Sequence, residues 1–134
     1  MKLDHTSKPL PAELARVLSL PLRAPSTWEP PRKPGATLQL RPVQLEALGE
    51  IRAVRAGLVS AGVGHGKTLI GILAGAALDV DRTVYLAPAA CVDQVQAEVE
   101  RAALNWDFPP VSVLSWSMLS SARGEALLAE AAGD

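Results

Sequence analysis

An α/β fold, with a parallel sheet covered by helices, is predicted by three features of this 134-residue sequence. Short β-branched runs alternate with longer Ala- and Leu-rich stretches in the order strand, helix, strand, helix, strand, helix, the signature of repeated βα units. The glycine-rich turn Ala61-Gly62-Val63-Gly64-His65-Gly66-Lys67-Thr68 joins the first strand to its helix. A hydrophobic fraction of 49% with 20% charged residues is ample for a buried core. The expected architecture is a three-stranded parallel sheet with flanking helices in residues 38–134. It is preceded by a proline-rich amino-terminal extension in residues 1–37.

Residues 1–10 are polar and expected to be loose. Residues 11–20 form a short helix with Leu14, Val17 and Leu18 on one face, Pro11 being tolerated in the first turn. Pro21, Pro25, Pro30, Pro31 and Pro34 then dictate an extended connector. Trp28 within it is expected to anchor the connector on the domain, ahead of a role in stacking on a base. Pro42 suits the first turn of a helix running to about Arg55, with Val43, Ala47, Ile51 and Val54 as its apolar stripe and Gly57 as its stop. Gln44 falls in that first turn, where its amide is expected to point away from the core.

Gly57-Leu58-Val59-Ser60 is short and apolar, as a buried strand feeding the glycine-rich turn should be. The helix after Thr68 is predicted to reach about Leu78. Thr83-Val84-Tyr85-Leu86-Ala87, ended by Pro88, has the composition of a second strand. Residues 90–104 read as a helix with Val92, Val95, Val99 and Ala102 facing inward and Asp93 in its first turn. A loop holding Trp106 and Phe108 leads to the strand Val111-Ser112-Val113-Leu114. Ser115 or Ser117 is then placed to cap a last helix over about 118–131.

Composition narrows the function classes. The net charge of −1 leaves no overall nucleic-acid footprint. The distribution is uneven, with nine Lys/Arg against five Asp/Glu in residues 1–60 and four against nine in residues 61–134. Cys91 is the lone cysteine, which excludes an internal disulfide and suits a reducing compartment. No 18-residue apolar window and no signal-peptide pattern appear, so no membrane partner is expected and the cytoplasm is the expected location.

The chemistry centres on the turn at 61–68. Small residues let consecutive N–H groups converge on oxygen anions, and the helix that follows opens with unpaired N–H groups and a partial positive charge. Lys67 supplies a mobile cation for β- and γ-phosphates, and the Thr68 hydroxyl is placed to ligate Mg²⁺. The usual pattern has Gly where this chain has Ala61. Gln44 offers a primary amide, which both donates and accepts and so matches the N6 and N7 edge of adenine.

Taken together, these blocks resemble the amino-terminal part of the first RecA-like domain of superfamily-two helicases and translocases. Leu40-Arg41-Pro42-Val43-Gln44 is similar to the adenine-recognising glutamine motif. Residues 61–68 are similar to motif I, of which Ala-x-x-Gly-x-Gly-Lys-Thr is a common form. Val84-Tyr85-Leu86-Ala87-Pro88-Ala89 with Val92-Asp93-Gln94 resembles motif Ia, and Val113-Leu114-Ser115-Trp116-Ser117 resembles the Ib region. The resemblance implies a partial RecA-like P-loop domain. It implies ATP bound by Arg41, Gln44, Gly62, Gly64, His65, Gly66, Lys67 and Thr68, with Lys67 and Thr68 acting in catalysis and Thr68 on Mg²⁺. His65 is a variable position in that family, and an exposed imidazole is its simpler reading. Nucleic-acid backbone contacts are implied for Pro88, Ala89, Ser115 and Ser117, with DNA the first choice over RNA. The departure is that no Asp-Glu pair occurs among the 134 residues. The chain is therefore expected to be a truncated or split helicase piece that binds nucleotide without appreciable turnover, completed by the remainder of the enzyme. Other P-loop enzymes are the rival class, but neither an arginine-bearing lid nor a guanine-reading Asn-Lys-x-Asp is present. A non-catalytic fragment docking onto a partner helicase is the other.

Overall fold

One helix, α3 (Lys67–Leu78), determines where the other elements lie, and its composition explains why. After Lys67 and Thr68 it contains only Leu, Ile, Ala and Gly, and a helix apolar on every side has to be covered on every side. The computed structural model describes residues 11–19, 24–60 and 66–133. In it α3 is flanked by α2 (Pro42–Val54) and α4 (Val92–Ala103) and packs on the sheet. Ile70, Ile72, Leu73 and Ala77 of α3 meet Leu48, Ile51, Ala102 and Trp106 in the core. No described helix is long and apolar enough to cross a membrane.

The sheet has two parallel strands, β1 (Thr83–Ala87) and β2 (Val111–Ser115), in register from Thr83↔Val111 to Ala87↔Ser115. Helix α4 makes the crossover between them, as a parallel pair requires. On one face the Tyr85 ring lies against Gly71 and Thr83 against Gly75. Four helical residues advance about 6 Å and two strand residues about 6.6 Å. Because α3 and β1 run in opposite directions, the next step brings Lys67 level with Ala87. The helix start and the carboxyl ends of both strands therefore share one edge of the molecule. On the other face α5 (Ala122–Ala132) sets Leu127 and Ala131 around a hollow with Ser112 and Leu114.

Several expectations need correction. Residues 57–60 are not a strand, so the described sheet has two strands rather than three. The segment runs beside α2, with Val59 against the core and Leu58 99% exposed. An apolar run becomes a strand only where a neighbour completes its ladder, and none of the described residues does so. The buried stripe of α2 runs through Gln44, Leu48 and Ile51, leaving Val54 60% exposed, because α3 lies on that side. Arg55 in the left-handed conformation (φ 60°), not Gly57, ends this helix. The last helix begins at Ala122, four residues later than expected. Neither Ser115 nor Ser117 caps it; Ser121 does, its Oγ accepting from the Gly124 N–H at 3.1 Å. Two short 3-10 turns, Ala89–Cys91 and Trp116–Met118, follow the strands. The amino-terminal helix α1 spans Ala12–Leu18.

The proline-rich stretch is a strap tied onto the domain. The Trp28 N–H bonds to the Leu45 carbonyl (3.1 Å), and the Arg52 guanidinium stands 5.0 Å from the centre of the Trp28 ring. Trp28 thus anchors the strap as expected. Gly49 makes the crossing possible, since a Cβ there would run into the Ser26 carbonyl. Trp106 and Pro30 are fully buried, and the Trp106 indole donates to Glu29 Oε1 at 2.9 Å. Asn105 completes the joint: its Oδ1 accepts from the N–H groups of Thr37 and Leu38, both at 2.9 Å, while its Nδ2 donates to the Arg101 carbonyl.

Candidate nucleotide-binding site

The site grows from the starts of two helices. α2 opens with Arg41 in extended conformation and Pro42 at its first position. The Gln44 side chain reaches back so that its Oε1 accepts from the Arg41 N–H at 2.8 Å. This is the returning half of a capping box. The Gln44 Nε2 donates to the Gly66 carbonyl at 3.3 Å, clasping the start of α2 to the start of α3. Gly66 sits at φ +74°, and a Cβ there would collide with the Gln44 amide. Both the backbone conformation and the contact require glycine.

Gln44 is 4% exposed, which corrects the expectation of an amide turned away from the core. It is pinned because a buried amide is stable only when hydrogen-bonded. An amide has two N–H donors and two acceptor lone pairs. Among the described residues the two bonds above use one of each, and they fix the plane of the amide.

The electrostatics of α3 are unusual. Lys67 is the only charge in the helix and occupies its first position, where the helix dipole is positive and disfavours a cation. Among the described residues no side chain caps this end. Lys67 is exposed, and Thr68 is half-buried on the wall of a cavity of about 300 Å³. That cavity extends from Gly66 and Thr68 between residues 38–41 and α4 to Trp106. Arg41 and Gln44 line it on one side and Gln94, Glu98 and Arg101 on the other.

Of the implied nucleotide-binding residues, Arg41, Gln44, Gly66 and Thr68 line one cavity, while Lys67, between Gly66 and Thr68 in the chain, is exposed and not part of its lining. Gly62, Gly64 and His65 lie outside the described residues. Pro88 and Ala89 follow β1 and Ser115 ends β2, so the Ala87↔Ser115 pairing sets the implied nucleic-acid positions side by side. Ser115 is 7% exposed and its hydroxyl lies 2.7 Å from that of Ser117, so Ser117 is the outward member of the pair. The sequence reading missed the α4 wall. The spacing of Gln94, Glu98 and Arg101, three and four apart on one helical face, was the available signal. Asn105 and Trp106, which brace the far end, carried none. Compared with known protein families, curated sequences and solved structures, the chain finds no match.

Proposed function

We propose that this chain is the ATP-binding portion of a nucleic-acid helicase or translocase. One observation carries the reading: the Gln44 amide clasps the start of α2 to the start of α3 at a position only glycine can occupy, on the wall of a cavity that Thr68 also lines. The start of α3, with its unpaired N–H groups and Lys67 at its first position, suits the anionic oxygens of a polyphosphate. The polyphosphate of ATP lies against Lys67 and the first turn of α3, and its base lies in the cavity against Gln44. Among the described residues no group of three or more His, Cys, Asp or Glu side chains gathers. Mg²⁺ would be held by Thr68 and the phosphates, supplying charge neutralisation where the phosphates meet. With no Asp-Glu pair in the sequence, positioning of the attacking water is left to the rest of a longer or two-part enzyme. The edge holding Pro88, Ala89, Ser115 and Ser117 contacts a nucleic-acid backbone without reading its sequence.

The test is titration of ATP–Mg²⁺ and GTP–Mg²⁺ into the wild-type chain and Lys67→Ala. A loss of charge-assisted phosphate contact lowers ATP affinity by about tenfold or more, and adenine is preferred over guanine. Equal ATP affinity in both proteins sinks the phosphate site, and a guanine preference sinks the helicase assignment.

A further inference from the structure

We infer that Glu98 on α4 holds the ribose of the bound nucleotide and makes this a ribonucleotide site. The inference rests on the nucleotide reading above and adds the wall that no implied residue supplies.

The cavity has two sides of different chemistry. On the α2 side the pinned Gln44 amide lines the cavity, and a primary amide carries the donor and acceptor chemistry that matches a base edge. On the α4 side stand Gln94, Glu98 and Arg101, spanning about 10 Å at the helical rise. Gln94 is nearest the start of α3, because α4 also starts at the edge where the strands end. Glu98 lies one turn further in, and Arg101 marks the end beside Trp106. A nucleotide with its phosphates at Lys67 and its base edge on Gln44 presents its sugar to the opposite wall.

Glu98 is the only acceptor-only group on that wall. Its side chain is 29% exposed, and Arg101 Nη2 donates to its Oε2 at 2.8 Å. That bond steadies the carboxylate and leaves acceptor positions for other donors, since an ionised carboxylate offers about four. A carboxylate beside a phosphate site repels the anionic part of the ligand, so its partner is a neutral donor. Ribose hydroxyls are such donors, and a carboxylate accepting from them is an established way to recognise a ribose.

The experiment measures affinities of ATP, 2′-deoxy-ATP, 3′-deoxy-ATP and ITP, each with Mg²⁺, for the full chain and for Glu98→Ala and Glu98→Gln. Lys67→Ala with ATP is run alongside. Removing a negative charge changes affinity for every nucleotide, so the readout is the ratio between ATP and each analogue. Wild type should favour ATP over at least one deoxy analogue by about tenfold, the scale of a hydrogen bond to a charged group. Glu98→Ala should bring that ratio near one, and Glu98→Gln should retain part of it. A wild-type ratio of one, or a ratio unchanged in Glu98→Ala, overturns the inference while Lys67-dependent ATP binding leaves the parent reading intact. A change confined to the ATP:ITP ratio overturns it too, placing Glu98 on the base amine. No nucleotide binding by wild type removes both.

Discussion

Residues 24–37 and residues 56–60 both lie outside the helices and the two-stranded sheet, yet they are held in opposite ways. The first stretch, rich in proline, has the composition of a loose connector. It is nevertheless fastened by the Trp28 N–H, the Glu29 carboxylate, the Pro31 carbonyl and the Asn105 amide, and Pro30 is fully buried. The second, Gly57-Leu58-Val59-Ser60 with Ala56 before it, has the composition of a buried strand. It joins no ladder and leaves Leu58 99% exposed. The contrast teaches that such a segment is ordered by what its backbone can bond to, not by its own hydrophobicity. Asn105 and Trp106 give the strap its partners, whereas no described strand lies alongside residues 56–60.

The comparison can be broken most forcefully at Trp106. Trp106→Ala should destabilise the chain by about 3–5 kcal/mol, because it removes a fully buried side chain and the partner of Glu29 together. Chemical denaturation followed by circular dichroism measures this, and a cost below about 1 kcal/mol would mean the strap is not part of the core. A smaller effect sharpens the same side of the contrast. Asn105→Ala leaves two backbone N–H groups of the strap without their acceptor and should cost about 2 kcal/mol. Hydrogen exchange at Thr37 and Leu38 should accelerate in that variant, and unchanged protection would show that Asn105 is not what fastens them. The smallest effect belongs to the other segment. Leu58→Ser should shift stability by no more than about 0.5 kcal/mol, as for any exposed position. A cost of several times that would show that Leu58 is covered in solution.

Much of the fold was legible in sequence because it depends on local pattern. β1 and α3 lie where the β-branched run at 83–87 and the Ala/Leu/Ile stretch after Thr68 predict them. The inward face of α4 at Val95 and Ala102 follows from its period of three and four. The candidate site was legible to the extent that it follows the chain, in Arg41, Gln44, Gly66, Lys67 and Thr68. It was illegible where it depends on proximity between distant residues. The clasp from Gln44 to Gly66 spans 22 positions, and the Asn105 bonds to Thr37 and Leu38 span 68 and 67.

By itself, then, the amino-acid order determined which stretches are helical, where α3 begins, and that its only charge stands at its amino end. Those features follow from periodicity and from glycine, and both act within a few residues. Tertiary packing alone decided that Gln44 is buried, that the strap is bound, that Leu58 faces outward and that α4 walls the cavity. Each of these depends on whether a hydrogen-bonding or apolar partner arrives from elsewhere in the chain, and a one-dimensional pattern carries no record of such arrivals.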